Sequence, residues 1–98
     1  MPYVIITRDK PNSLDLRNQV RAEHIEFLDR NKHRLLAAGA MIEDDGTGGR
    51  GGVIIVDTDD RKEAEDFIGA DPFTKAGLFE SITVSRWRKA FFNLERLV

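Results

Sequence analysis

His24 and Asp71 are the two residues of this 98-residue chain whose types and settings best suit acid–base chemistry. Histidine titrates near neutral pH, and a carboxylate bonded to one ring nitrogen fixes which nitrogen carries the proton. Pro72 follows the aspartate and disfavours a helical backbone there, which holds the carboxylate at a stiffened corner. Phe73 comes next and could supply an apolar wall. The sequence therefore favours a pair in which Asp71 orients His24 as a general base or acid.

His24 lies in a predicted helix, at the centre of its apolar stripe. At about 100° per residue, five apolar residues cluster within half a helical turn of one another around it: Leu16, Val20, Phe27, Leu28 and Leu35. A polar ring in that position needs a bonding partner, whereas His33 is predicted to point to the opposite, solvent-facing side. A main-chain carbonyl could satisfy His24 as well as a carboxylate could, so a purely structural histidine stays open.

Two arginines precede His24 on the same face of the predicted helix. Arg17 lies seven residues before it and Arg21 three residues before it, spacings that bring side chains together within two turns. Either guanidinium could bind an anionic or enolate oxygen of a substrate, and Phe73 and Pro72 complete the predicted substrate-binding set. The alternative is that both arginines lie at the helix edge and extend their charged ends into solvent.

Other kinds of site have weaker support. The glycine-rich residues 46–52 lack the Gly-Lys-Ser/Thr ending of a phosphate-binding loop and join two predicted strands, which favours a flexible hairpin. A metal site would need His24, Asp71 and a third ligand such as Glu23 or Glu26, but both glutamates leave the His24 face of the helix. The chain has no cysteine, which excludes disulfides, zinc–thiolate sites and a cysteine nucleophile. We therefore expect neither a metal nor a cofactor.

The composition is that of an ordinary globular protein, with 41% hydrophobic and 33% charged residues and a net charge of −2. Acids and bases are interleaved, which leaves no electrostatic footprint for nucleic acid. No apolar run approaches the roughly 18 residues of a membrane span, and no signal-peptide pattern is present. We expect one domain over residues 1–98, located in the cytoplasm, with no nucleic-acid partner and no membrane partner.

The elements that must position these residues are predicted in the order β-α-β-β-α-β. They are a strand at residues 3–7, a helix from about 14 to at least 30, strands at 40–43 and 53–56, a helix at 60–69 and a strand at 79–87. Ser13 is the expected N-cap of the first helix, which can break near residues 31–32 before its stop at Gly39. Asp60 and Glu63 have capping-box spacing. This order predicts the split βαβ of a ferredoxin-like α+β fold with an antiparallel sheet.

Two of the predicted strands, at residues 4–6 and 53–56, are apolar on both faces. Two helices can cover only one face of a four-stranded sheet, and an uncovered apolar face would be a sticky patch. We therefore expect a homodimer with a 2-fold axis, in which a second copy covers that face. The C-terminal tail is expected to pack onto the dimer through its apolar side chains: Phe91, Phe92, Leu94 and Leu97.

Taken together, these residues resemble the YciI-like (YCII-related) family over about residues 3–87. The resemblance is carried by Arg21-Ala22-Glu23-His24 followed by Phe27-Leu28, by Leu35-Leu36-Ala37-Ala38-Gly39-Ala40, by Gly52 before the third strand, and by Asp71-Pro72-Phe73-Thr74-Lys75-Ala76-Gly77-Leu78. The family often has proline before the tryptophan, where this chain has Arg86. The tail, about residues 88–98, lies outside the resemblance.

The resemblance implies a dimeric α+β barrel and a proposed active-site pair that maps onto His24 and Asp71. Relatives on this barrel include muconolactone-isomerase-like enzymes and small cofactor-free monooxygenases, and family members have been linked to removal of chloride from chlorinated hydroxyquinols. We expect a cofactor-free isomerase or lyase, of dehydrohalogenase type, that acts by His/Asp acid–base catalysis on a cyclic or aromatic small molecule. Two alternatives stay open: a non-catalytic ligand-binding or assembly module, and an oxygen-dependent or haem-handling barrel with His24 as the iron ligand.

Overall fold

The computed structural model describes residues 1–98 and shows a four-stranded antiparallel sheet with helices packed on one face. In chain order the elements are β1 (Tyr3–Asp9), α1 (Leu14–Arg30), β2 (Leu35–Ala40), β3 (Gly51–Val56), α2 (Arg61–Ala70), α3 (Pro72–Lys75), β4 (Phe79–Arg86), β5 (Phe91–Phe92) and β6 (Glu95–Arg96). The strands of the main sheet lie in the order β2-β3-β1-β4. The predicted ferredoxin-like α+β fold is therefore confirmed.

The core lies between the helices and one face of the sheet. Side chains alternate along β1, so that Tyr3, Ile5 and Thr7 point to the helix side and are buried. The core cluster draws on both central strands and on both long helices. Its members are Tyr3, Ile5, Phe27, Ile54, Val56, Ala64, Phe67 and Ile68.

The opposite face of the sheet has no helix over it. Val4 pairs with Ile55 and Ile6 pairs with Val53 across the central strands, so these four side chains form one apolar patch. Ile6 is 38% exposed and the other three are half-buried. The prediction that the central strands are apolar on both faces is confirmed. We call this four-residue surface the open face.

The second strand lies earlier in the chain than the sequence predicts, and the predicted strand at residues 40–43 is wrong. It spans Leu35–Ala40, so Leu35 and Leu36 belong to a strand rather than to the end of the first helix, and residues 41–43 follow the strand. Ala38 lies opposite Ile54 and Gly39 opposite Val53 in β3. This pairing overrides the helix propensity of the leucine- and alanine-rich segment, because cross-strand hydrogen bonds and packing outweigh a few tenths of a kcal/mol per residue.

Helix α1 ends at Arg30 because Asn31 caps it. The Asn31 backbone N–H donates to the Leu28 carbonyl at 3.1 Å, and its side-chain amide donates to the Phe27 carbonyl at 2.8 Å. A single turn of 3₁₀ helix, Lys32–Arg34, then leads into β2, and His33 is exposed there as predicted. The chain therefore leaves the helix at the break expected near residues 31–32, but it does not resume the helix afterwards.

The predicted helix starts are in place, with different capping bonds. Ser13 is the N-cap residue of α1, but its hydroxyl does not bond the helix N–H groups. Asp60 caps α2 by accepting from the Lys62 N–H at 2.9 Å. Glu63 accepts instead from the Thr58 hydroxyl, so the predicted reciprocal capping box does not form.

The C-terminal segment forms a small hairpin from β5 and β6. Asn93 and Leu94 make its turn with positive φ angles of 53° and 65°. Phe91, Leu94 and Leu97 are exposed on it, so tail packing onto a second chain stays a prediction. None of the helices combines the length and the apolar character needed to cross a bilayer.

Candidate active site

Asp71 is fully buried at the junction between α2 and α3. Its backbone is extended, with φ −63° and ψ 131°, which is the conformation that a following proline favours. Pro72 occupies the first position of α3, where a missing N–H costs no hydrogen bond. Asp71 Oδ1 accepts a hydrogen bond from the Phe73 N–H at 2.9 Å. The Asp-Pro-Phe sequence thus builds an N-cap whose carboxylate is fixed by the helix that it begins.

His24 projects from α1 and meets this carboxylate. Its Nδ1 lies 2.9 Å from both Oδ1 and Oδ2 of Asp71. A carboxylate can only accept hydrogen bonds, so Nδ1 donates, and in the neutral ring Nε2 is left as the acceptor. The Nε2 atom has no hydrogen-bond partner in the protein, and the His24 side chain keeps 14% exposure. Of the two partners that the sequence left open for His24, the structure therefore has the carboxylate side chain and not a main-chain carbonyl.

Phe73 supports the face of the imidazole. The two ring centroids lie 4.0 Å apart with 16° between the planes, a stacked pair. Phe79 contacts the same phenylalanine edge-on, at 6.0 Å and 80°. Phe73 is buried, so this packing leaves the histidine ring little freedom to tilt.

Arg17 is buried rather than extended into solvent. Its Nε donates to Asp9 Oδ2 at 2.7 Å, and its Nη2 donates to Asp9 Oδ1 and to the Gly51 carbonyl, both at 3.2 Å. The guanidinium carbon also lies 4.8 Å from the centroid of the Phe73 ring. The solvent-facing alternative for Arg17 is thus wrong. A buried, two-point ion pair holds Arg17 over Phe73, the ring on which His24 also stacks.

These groups line a pocket of about 100 Å³ between α1 and the sheet. Its polar wall consists of Thr7, Arg17 and His24. Its apolar wall consists of Ile25, Leu28, Ile54, Phe73 and Phe79. Small residues complete the lining and leave space where larger side chains would fill the pocket: Ala38, Gly39, Ala40, Gly51 and Gly52.

Not every predicted substrate-binding residue lines this pocket. Arg21 is exposed on α1 and Pro72 is half-buried, and neither contributes to the pocket wall. Thr7 and Asp9 do belong to the site or to its support, and sequence reasoning missed both. The available signal was strand alternation, which places Thr7 on the same side as Tyr3 and Ile5.

The structure contains no group of three or more His, Asp or Glu side chains arranged to hold a metal ion. Glu23 and Glu26, the two glutamates considered as further ligands, are exposed on the outside of α1. The His24–Asp71 pair therefore has no third side chain beside it that would complete a metal site. What the pair offers is one accepting nitrogen, Nε2, beside an apolar pocket, which suits proton transfer.

Comparison with known proteins places the chain in a family. The model of the YCII-related domain matches residues 1–88. The protein YciI of Escherichia coli is 35% identical over 98 residues, covering 93% of this chain and 100% of that protein.

Solved structures show the same fold. The 5-chloro-2-hydroxyhydroquinone dehydrochlorinase TftG of Burkholderia phenoliruptrix, in complex with 2,5-dihydroxybenzoquinone, is 32% identical with a TM-score of 0.82, over 90% of this chain and 94% of TftG. An antibiotic biosynthesis monooxygenase shares the fold at 22% identity and a TM-score of 0.50, over 87% of this chain and 94% of that one. The family match and the curated relative together identify this chain as a member of the YCII-related family.

Proposed function

We propose that this protein is an acid–base enzyme, a lyase or isomerase that acts on a small cyclic or aromatic compound. His24 is the general base or acid and Asp71 is its orienting partner. The observation that carries the proposal is the placement of the two ring nitrogens: Asp71 binds Nδ1, and Nε2 has no partner in the protein while the ring lines the pocket. A buried structural histidine would have no reason to keep its second nitrogen free at a pocket wall.

Elimination of a hydrogen halide is the reaction that we favour. The step acts on the keto tautomer of the ring, in which the halogen lies on an sp³ carbon: Nε2 takes a proton from an O–H or C–H group, the released electron pair forms a new double bond, and the halide leaves with its bonding pair. The imidazolium that forms is stabilised by Asp71 and then gives its proton to water. The reaction consumes no oxidant and no reductant. In an isomerase, the same nitrogen would return the proton to another atom of the substrate.

The similarity to TftG supports the dehydrohalogenase form of the proposal. That protein is a dehydrochlorinase of a chlorinated hydroxyhydroquinone and was solved with a quinone bound. Similarity of fold alone would be weak support, because one fold carries many reactions. At 32% identity over nine-tenths of both chains, the likeness extends to sequence as well as fold.

Arg17 and Phe73 are the proposed substrate contacts beside the catalytic pair. Arg17 lines the pocket wall, and its guanidinium, although paired with Asp9, would donate a hydrogen bond to a developing oxyanion on the substrate. Phe73 offers an apolar surface for a ring. Arg21 and Pro72 do not line the pocket, so the proposal gives them no contact with the substrate.

We also propose that the protein is a homodimer through the open face. Val4, Ile6, Val53 and Ile55 form a continuous apolar surface with no helix over it. Burial of this surface against a second copy would stabilise the dimer by roughly 25 cal/mol for each Å² of apolar surface removed from water. A self-complementary patch of this kind closes with 2-fold symmetry.

The test of the enzymatic proposal is chloride release from 5-chloro-2-hydroxyhydroquinone. We expect the wild-type protein to release chloride, and His24→Ala to lower kcat/KM by about 10²- to 10⁴-fold. His33→Ala is the matched control, since it removes the exposed histidine, and it should keep wild-type activity. If the wild type turns over the substrate and His24→Ala does so equally well, the proposed mechanism is wrong. Binding of the compound by wild type without any turnover would support a ligand-binding module instead.

A further inference from the structure

The Thr7 side chain is a buried polar group in the pocket that the proposed acid–base mechanism does not use. Thr7 lies on β1, and the whole residue is only 2% exposed. Its hydroxyl makes no hydrogen bond within the protein. Every fully enclosed side-chain nitrogen or oxygen in the structure has a partner, so this hydroxyl is not sealed away. Because Thr7 lines the pocket, the pocket is where its hydroxyl remains accessible.

The residue opposite Thr7 in the neighbouring strand has no side chain that could cover the hydroxyl. Thr7 pairs across the sheet with Gly52 in β3. A Cβ atom on Gly52 would lie 3.7 Å from Thr7 Oγ1 and only 2.9 Å from the Gly39 carbonyl oxygen, which is too close for an unmoved backbone. The absence of a side chain at Gly52 therefore keeps the space in front of the hydroxyl open.

The charges around the pocket restrict the kind of ligand that this hydroxyl could meet. The Arg17 guanidinium is already paired with the Asp9 carboxylate, and Asp71 is paired with His24. No unpaired cation lines the pocket that would neutralise a phosphate or a dicarboxylate. The small volume, about 100 Å³, is also below that of the ~150 Å³ engineered cavity that takes a benzene ring. A single ring that carries uncharged or singly ionised oxygen substituents fits these limits, with part of it reaching out of the open pocket.

We propose that Thr7 is a specificity-determining residue whose hydroxyl hydrogen-bonds an oxygen substituent of the ring that occupies the pocket. The assignment of Thr7 rests on the proposed function, because it takes from that proposal that a ring compound binds in the pocket. A threonine hydroxyl can donate to a keto or phenolate oxygen and can accept from a phenol. A ring without oxygen would leave the hydroxyl unpaired in a buried position, and that penalty is the basis of the discrimination.

Binding of hydroquinone and of toluene, followed by NMR titration of the whole protein, tests this directly. Thr7→Val keeps the shape of the side chain and removes the hydroxyl, so it should weaken hydroquinone binding roughly 3- to 10-fold. Toluene affinity should change less than about 2-fold, because no polar contact to it is lost. Thr7→Ser restores the hydroxyl and should restore most of the hydroquinone affinity. Thr83→Val, on the opposite face of the sheet, is the matched control and should bind like wild type.

Three results would overturn the assignment of Thr7. They are equal hydroquinone affinity in wild type and Thr7→Val, an equal loss for both compounds, and no binding of either compound to wild type. Since the Thr7 hydroxyl makes no hydrogen bond in the protein, Thr7→Val should fold, and Thr7→Ser gives a second variant that keeps the hydroxyl. The readout is binding and not turnover. Failure of the enzymatic proposal would therefore appear as absent chloride release with the Thr7 discrimination intact.

Discussion

The imidazole of His24 lies flat against the ring of Phe73, with 4.0 Å between centroids and 16° between planes. The backbone N–H of the same phenylalanine donates to the Asp71 carboxylate that binds His24. Asp71 thus holds the histidine by its edge while Phe73 holds it by its face. The ring orientation that proton transfer needs is fixed by two residues, Asp71 and Phe73, which lie two positions apart at the start of α3.

This closed arrangement predicts that His24 and Asp71 act as one unit in turnover. Asp71→Asn should lower kcat/KM for chloride release by about 10²-fold or more, since the amide no longer enforces the Nδ1–H tautomer. The double variant His24→Ala/Asp71→Asn should be no slower than His24→Ala alone, because residues that act together lose their effect together. Steady-state kinetics of the three variants check this, and additive losses would show that the two residues act independently.

Phe73 is expected to stabilise the fold as well as the site. Phe73→Leu removes a buried aromatic ring that contacts both His24 and Phe79, and we expect it to lower the free energy of unfolding by about 1–3 kcal/mol. Phe91 is exposed in the C-terminal hairpin, so Phe91→Leu is the matched control and should change the free energy by less than about 0.5 kcal/mol. Urea denaturation followed by circular dichroism measures both. Equal losses in the two variants would contradict the packing role of Phe73.

The buried Arg17–Asp9 pair should show strong coupling. Removing only the arginine, in Arg17→Met, leaves the Asp9 charge buried without its partner and should cost about 3–5 kcal/mol of unfolding free energy. The double variant Arg17→Met/Asp9→Leu removes both charges and should be more stable than Arg17→Met alone. Arg21→Met, at an exposed position of the same helix, serves as the control and should be close to neutral. If the double variant loses as much unfolding free energy as Arg17→Met and Asp9→Leu lose together, the two residues are not coupled.

The proposed dimer can be tested with two isoleucines of equal exposure on opposite faces of the sheet. Ile6 is 38% exposed on the open face, whereas Ile82 is 39% exposed and pairs with Thr7 on the helix side. Ile6→Asp would place a charge inside the proposed interface and should shift the protein to monomers in light scattering. Ile82→Asp should leave the dimer intact. A wild-type protein that is monomeric at micromolar concentration would remove this proposal.

The fold and the His24–Asp71 contact could be predicted from the sequence because each left a regular pattern. Helical periodicity placed His24 in an apolar stripe, and the Asp-Pro step predicted a restricted, extended backbone at Asp71. The second strand could not be placed in this way. Its leucines and alanines suit a helix equally well, and only the pairing with β3, a long-range contact, decides for a strand.

The support of the site was harder to predict than its centre. Asp9 lies at a strand end beside turn residues, and nothing local shows that it binds Arg17 eight positions later. Thr7 falls within an apolar strand, and its role depends on Gly52, a residue 45 positions away that lies opposite it only in the folded sheet. Residues that meet only because two strands pair in a particular register leave no periodic signal in the sequence.

The central claim is that Asp71 binds Nδ1 of His24 and leaves Nε2 as the proton acceptor at the pocket. Correlation of the ring nitrogens with the ring protons of His24 by ¹H–¹⁵N NMR, at a pH where the ring is neutral, measures this tautomer without knowledge of the substrate. We predict the proton on Nδ1 and a bare Nε2 in wild type, with a mixture of tautomers in Asp71→Asn. A proton found on Nε2 in the wild-type protein would contradict the account.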